Sequence, residues 1–287
     1  HYIIMLDDVI RYGFNEIFSI FEYDSLSAYA IKFTRDAELD IDDDVTKSHF
    51  EKIAKSVKKR KKGQPVRVAY DREIPKEFFQ FILDKNDISD IENLIPRGRY
   101  HNTKDFMKFP NVKSKRLEYK KTEPLEHKQL RNRKSILEAI KEKDVLLHYP
   151  YQTYNYVIDM LREAAIDPYV RSIKITLYRL AENSNVINAL INASQNGKDV
   201  TVIIELQARF DEEANIYWTR KLEEVGIRII HGVPGLKVHA KLFLISREEN
   251  DKIVHFASIG TGNFNESTAK IYCDHSLLTS NKQIINE

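Results

Sequence analysis

The sequence predicts an α/β protein, a mainly parallel sheet flanked by helices, preceded by a smaller α+β domain. Three observations point there. Between residues 173 and 231, strand-length apolar runs alternate with helix-length amphipathic segments, which implies right-handed crossovers between parallel strands. A polar, proline-flanked stretch from Phe109-Pro110 to Glu123-Pro124 separates that region from what precedes it and sets a boundary near Pro124, giving domains 1–124 and 125–287. Finally, 287 residues with 42% hydrophobic and 10% aromatic side chains suffice for two domains with real cores.

In the first domain, residues 1–24 alternate apolar and acidic groups, with Asp7-Asp8-Val9-Ile10-Arg11 early in a helix. Residues 28–33 read as a strand. Asp40, Asp42, Asp44 and Glu51 fall at the first, third, fifth and twelfth positions of a calcium-hand loop, but the sixth, which needs glycine, is Val45. These carboxylates are therefore read as N-cap and dipole partners of a helix over 45–57. That helix ends in Lys58-Lys59-Arg60-Lys61-Lys62-Gly63, cations at the C-terminus and glycine as the stop. Residues 65–70 alternate as a strand, 76–85 as a helix, and 95–100 are turn-rich.

In the second domain, helices over 135–143 and 154–165 flank a short strand over 144–150. Then come strand 173–178, helix 185–194, strand 200–206, helix 212–225 and strand 227–231. The strand carrying His239 and the segment 253–259 are expected to join as a hairpin.

Charge and cysteine usage narrow the function. Forty-five basic against 43 acidic residues leave a net charge of +2, so no global field marks a nucleic-acid binder and any anion site must be local. The single cysteine, Cys273, excludes an internal disulfide and cysteine-based zinc motifs, and fits a reducing compartment. No apolar run approaches the roughly 18 residues that span a bilayer, and no signal-peptide pattern is visible. The chain opens inside an amphipathic pattern and stops without a terminating signal, as an excised fragment would.

The chemistry concentrates in Lys237-Val238-His239-Ala240-Lys241 and Gly260-Thr261-Gly262-Asn263-Phe264-Asn265. On an extended strand, Lys237, His239 and Lys241 would share one face, with an imidazole between two ammonium groups. Such neighbours favour the unprotonated ring, whose lone pair can attack, and neutralise an incoming phosphate. The Gly/Asn run suits a tight loop in which backbone N–H groups and the Asn263 and Asn265 amides cradle anionic oxygens. In open α/β sheets ligands bind beyond the carboxyl ends of parallel strands, where Arg179 and Arg209 stand. Their guanidinium groups suit bidentate phosphate contacts. Either could equally be an ion-pair partner of Glu205, Asp211 or Glu212.

At these residues the chain resembles a known family. Leu177-Tyr178-Arg179, the run from Glu205-Leu206-Gln207-Ala208-Arg209 to Asn215, Pro234 to Lys241 and Ile259 to Glu266 are similar to the first catalytic half of bacterial polyphosphate kinases, whose halves have a phospholipase D-like fold. Thr34 to Asp44 and Gly98-Arg99-Tyr100-His101-Asn102 resemble that family's head domain. The resemblance implies reversible transfer of the terminal phosphate of ATP to polyphosphate through a phosphohistidine on His239. It implies Arg179 and Arg209 at a Mg²⁺–phosphate site, clamping phosphates that themselves hold the ion, and Tyr272 at the nucleotide. It further implies ATP, ADP and polyphosphate as partners, no nucleic acid, a homo-oligomeric full-length protein, and a cytoplasmic location with peripheral membrane association.

Two rival readings remain. A phospholipase D-type diesterase wants an aspartate seven positions after the histidine, where this chain has Ser246, and a second His-x-Lys that it lacks. A non-catalytic polyanion-binding or dimerisation module would use the basic runs at 58–62 and 113–116.

Overall fold

The computed structural model describes residues 2–35, 49–60, 65–88, 93–110, 115–120, 122–181, 183–206, 208, 211–232 and 236–287, without the side chains of residues 49, 58–60, 108 and 115. Backbone contacts divide the chain into two units, His1–Glu38 with Lys58–Lys120, and Leu39–Val57 with Lys121–Glu287. The acidic cluster at Asp40, Asp42 and Asp44, residues 61–62 and 113–114 of the basic runs, and Arg209 lie outside the described residues.

The first unit begins with α1 (Leu6–Tyr12) and α2 (Phe14–Ile17), and its sheet is β1 (Ile31–Arg35), β2 (Pro65–Asp71) and β3 (Leu94–Arg97) in that order. β1 runs antiparallel to β2, and β3 parallel to it. Period-two alternation gives the sheet two unlike faces. Ile31, Phe33 and Val68 pack with Phe79 and Leu83 of α4 (Lys76–Lys85) and with Ile88, while Tyr70 stacks on Phe79 with ring centroids 4.1 Å apart. The strand β3 falls in a stretch expected to be turn. Its Pro96 cannot donate a ladder hydrogen bond, which an edge strand tolerates and a sequence pattern penalises.

The helix α3 (His49–Arg60) follows the helix expected over 45–57 where it is described, and Phe50, Ile53 and Val57 join the core of the second unit. That unit continues with α5 (Ile136–Glu142), β4 (Val145–His148), α6 (Asn155–Ile166), β5 (Val170–Leu177), α7 (Asn185–Gln195), β6 (Asp199–Ile204), α8 (Glu212–Glu224) and β7 (Arg228–Ile230). It closes with β8 (Lys241–Glu249), β9 (Lys252–Gly260), β10 (His275–Thr279) and α9 (Lys282–Asn286). The seven strands lie in the order β4-β10-β9-β8-β5-β6-β7.

The α/β class is as expected, and five of these seven strands, β4, β9, β5, β6 and β7, point one way. Only β5-β6-β7 are parallel neighbours, however, because β8 enters antiparallel beside β5, turns tightly into β9, and β10 returns antiparallel between β9 and β4. The expected hairpin forms between β8 and β9. Its two-residue turn, Asn250-Asp251, has φ of 49° and 60°, the left-handed pair whose twist matches the flanking strands.

This topology collects chain ends at one edge of the sheet. In register, Lys241 opposes Gly260, Gly260 opposes Ser276, and His275 opposes His148. The C-terminal ends of β4, β5, β6 and β9 thus meet the first residues of β8 and β10.

Candidate functional site

His239 lies at this edge, but not on a strand. β8 begins at Lys241, where pairing with β9 starts, so residues 237–240 approach the sheet outside any strand. The common Lys237, His239, Lys241 face expected from strand alternation is therefore not formed by a strand. Lys237 and His239 are exposed and Lys241 is buried. The Lys241 Nζ donates to the His239 carbonyl at 2.5 Å and sits over the Tyr178 ring, 5.4 Å from its centroid. Desolvation pushes the Lys241 ammonium below the ordinary lysine range, with the negative charge of Asp274 opposing the shift.

Two buried side chains fix the backbone on either side of His239. The Val238 N–H donates to the Glu205 carboxylate at 3.0 Å. Thr176 on β5 donates to the Ala240 carbonyl at 2.7 Å and accepts from the Leu242 N–H at 3.1 Å. Glu205 is itself placed by Asn215 of α8, which is fully buried and whose amide donates to the carbonyls of Tyr178 and Glu205, both at 2.8 Å. The ends of β5 and β6 are thereby tied together. The imidazole meets the Tyr178 ring edge to face, with centroids 5.2 Å apart and planes at 81°. A backbone pinned on both sides and a ring oriented against a tyrosine leave the nucleophile candidate facing solvent in a restricted pose.

The ion-pair alternative left open for Arg179 is realised, since its guanidinium pairs with Asp211 at the N-cap of α8. Arg179 stays about one-third exposed and stacks against its neighbour Tyr178.

The Gly260 to Asn265 loop is tight, as expected. A Cβ on Gly262 would stand 2.5 Å from an Asp274 carboxylate oxygen, so only glycine allows that approach. Thr261 donates to Asp274 at 2.8 Å and accepts from the His275 N–H at 3.0 Å, which ties the loop to β10. Phe264 is buried against Phe243 and anchors the loop from beneath. Asn263 has a buried amide oxygen with no hydrogen-bond partner among the described residues. The Asn265 oxygen accepts from Ser267 and Thr268 N–H at 3.0 and 3.1 Å, so it shapes the turn. Glu266 reaches the first amides of α7, Asn185 and Val186, at 2.5 and 3.1 Å. Tyr272 is exposed beyond this loop.

Sequence reasoning missed Thr176, Asn215, Asp274 and the stacked pair His148 and His275, whose ring centroids are 4.3 Å apart at the same sheet edge. Their contacts join β4, β5, α8 and β10, and no local pattern encodes those juxtapositions. Glu205 was visible only as an ion-pair candidate.

Ser246, where a diesterase would need aspartate, lies five residues along β8 from Lys241, about 17 Å at roughly 3.4 Å per residue. Its hydroxyl contacts His255 Nδ1 at 3.0 Å.

Comparison with known proteins places these features in a wider set. Residues 135–287 match the family model described as polyphosphate kinase C-terminal domain 1, and residues 1–109 match the polyphosphate kinase middle domain. The polyphosphate kinase of Vibrio parahaemolyticus is 50% identical over 286 residues, 99% of this chain and 41% of the relative. That of Escherichia coli K12 is 49% identical over 290 residues, 99% of this chain and 42% of the relative. The crystal structure of Porphyromonas gingivalis polyphosphate kinase superposes with a TM-score of 0.75 at 39% identity, covering 98% of this chain and 39% of that one. The chain thus spans about two-fifths of the length of these relatives.

Proposed function

We propose, from the premise that this chain belongs to the polyphosphate kinase family, that it carries the nucleophile-bearing part of an ATP:polyphosphate phosphotransferase. The observation that supports this most is the setting of His239, with the backbone held on both sides by Glu205 and Thr176 and the ring exposed against Tyr178 beside Lys241.

In the proposed reaction, a ring-nitrogen lone pair of His239 attacks the γ-phosphorus of ATP. The P–N bond forms as the bond to the bridging oxygen breaks, and ADP leaves with that electron pair. The terminal oxygen of a polyphosphate chain then attacks the same phosphorus, and the P–N electrons return to the imidazole. Transfer of this kind depends on positioning and charge stabilisation more than on covalent help from the protein. Lys241 supplies positive charge next to the nucleophile, and the loop at Gly260 to Asn265 offers backbone donors for the phosphoryl oxygens. Arg179 and Arg209 clamp the remaining phosphates. For Arg179 this means exchanging the Asp211 carboxylate for phosphate oxygens, both of which suit its planar fork.

Magnesium belongs to the substrate in this scheme. Among the described residues no group of three or more His, Cys, Asp or Glu is arranged to hold an ion, and arginine has no lone pair for one. In this reading Mg²⁺ enters as the Mg–nucleotide complex, held through the phosphates that Arg179 and Arg209 clamp. Cytoplasmic location, self-association and peripheral membrane contact belong to the same proposal. No helix of the described residues is long and apolar enough to cross a membrane.

The test is labelling with γ-labelled ATP and Mg²⁺. The full-length protein should acquire an acid-labile, base-stable phosphate on His239, absent from His239→Ala and His239→Gln, because an amide nitrogen has no nucleophilic lone pair; residues 1–287 alone are expected to be inactive or weakly active. Label persisting in His239→Ala would assign the nucleophile elsewhere.

A further inference from the structure

The β-sheet of the first unit has one face packed on α4 and a second face whose chemistry the reaction does not use. By register, Lys32 opposes Ala69, Ala69 opposes Ile95, and Arg97 opposes Asp71, so Lys32, Arg67 and Arg97 share this second face. Together with Tyr100, His101 and Thr103 they line a cavity of about 300 Å³, at the lower end of small-ligand site volumes, roughly 300–1,000 Å³. No carboxylate lines it among the described residues.

The pattern of pairing is selective. Arg99, in the same loop, is neutralised by Asp8 at 3.4 Å, and Tyr100 is fixed by donating to Asp8 at 2.5 Å. Lys32, Arg67 and Arg97 make no ion pair among the described residues. Asp71, beside Arg97 in register, is buried and accepts from the Glu73 N–H at 3.2 Å. His101 also lines the cavity. Its Nε2 faces the Gly98 carbonyl at 2.8 Å and must carry the proton there, while Nδ1 is buried with no partner. Three cations gathered around a cavity that no carboxylate lines among the described residues repel one another, and a bound anion removes that repulsion.

The spacing selects the kind of anion. Val68 opposes Leu94 and Asp71 opposes Arg97, so Arg67 and Arg97 stand four positions apart along the strands, about 13 Å at roughly 3.3 Å per residue, with Lys32 level with their midpoint. An array that long suits an extended polyanion better than a single phosphate.

We propose that this face is a second binding site, built entirely from first-unit residues, for a linear chain of three or more condensed phosphates. The proposal rests on the polyphosphate reading above, and it gives the Arg97 to Asn102 loop a function that the phosphotransfer chemistry does not.

The experiment uses the full 287-residue chain and reads Lys32 directly, as its rate of acetylation followed by mass spectrometry. Tripolyphosphate should slow acetylation of Lys32 tenfold or more, and the Arg67→Ala/Arg97→Ala double variant should lose that protection. The Arg67→Lys/Arg97→Lys variant should keep part of it, with both variants unfolding at the same urea midpoint as the parent. Protection that survives in the alanine double variant, or that orthophosphate provides equally well, overturns the proposal. Protection by Mg-ATP equal to that by tripolyphosphate identifies a nucleotide tail as a sufficient occupant, and weaker protection by Mg-ATP assigns the site to inorganic chains. His239 labelling of the full-length protein keeps the two ideas apart. Intact Lys32 protection without label defeats only the phosphotransferase reading, and label without protection defeats only this one.

Discussion

The Val238 N–H donates to the buried carboxylate of Glu205 at 3.0 Å, which makes the end of β6 the support for the residue preceding the candidate nucleophile. A hydrogen bond to a charged group contributes about 1.5–3 kcal/mol. Glu205→Ala should therefore lower stability by about that amount and slow His239 labelling, whereas Glu205→Gln, which keeps an acceptor oxygen, should slow labelling less. Urea unfolding and single-turnover labelling of the two variants check this. Labelling at the parent's rate in both variants would mean that the carboxylate does not position His239.

Arg179 and Asp211 pair in the ligand-free chain, so phosphate must compete with a carboxylate for the same guanidinium. Arg179→Lys keeps the charge but loses the fork, and losing two charge-assisted hydrogen bonds slows transfer on the order of a hundredfold. Asp211→Asn acts oppositely at the binding step. It releases Arg179 and should lower the apparent KM for Mg-ATP while leaving the maximal labelling rate within about threefold of the parent, since only ground-state competition is removed. A purely structural ion pair would instead show both variants less stable with unchanged kinetics.

The contrast between these residues shows what the chain reveals as text. The alternation of 173–231 reports β5, α7, β6, α8 and β7 because each is a complete local period, and two strand-like runs close together in the chain report the β8–β9 hairpin. β10 stayed hidden, since its five residues acquire strand character only by pairing with both β4 and β9. In the site, His239, Lys241, Arg179 and the glycine loop were legible because their chemistry is written in adjacent residues. Thr176, Asn215 and Asp274 were not, since each acts through a residue more than ten positions away. The placement of Lys237 and His239 also failed as strand geometry. Alternation assumes a paired strand, and pairing begins only at Lys241.

Lys241 gives a pH signature with a definite sign. Its folded-state value is lowered by desolvation, so the unfolded chain binds its proton more tightly than the folded one. Below the folded value the ammonium is charged in both states and burial opposes folding. Between the folded value and the ordinary lysine value near 10.5 that penalty is relieved, and stability rises with pH. The stability difference between the parent and Lys241→Met, followed by urea unfolding from pH 7 to 10.5, should shift in favour of the parent as pH increases. A difference independent of pH would mean that the ammonium is as well solvated as in the unfolded chain.

Gly262 and Asp274 provide the sharpest steric test. A Cβ at position 262 would lie 2.5 Å from Asp274 Oδ2 and 2.8 Å from its Cβ, so rotating the carboxylate away cannot relieve the whole clash and the loop must shift. Overpacking of this kind costs about 1–3 kcal/mol. Gly262→Ala should thus be destabilising, and it should also slow His239 labelling, because Thr261 and Asp274 hold the loop against the start of β10. Asp274→Gly removes every atom that the new methyl group meets most closely, so the double variant should recover most of the stability lost by Gly262→Ala relative to the Asp274→Gly background. A double-mutant cycle read by urea unfolding measures that coupling, and strictly additive effects would show that the approach of the two residues does not constrain the loop. Labelling need not recover with stability. Asp274→Gly also frees Thr261 and removes the carboxylate that opposes the downward shift of Lys241, so the double variant should fold like its background and still transfer phosphate slowly.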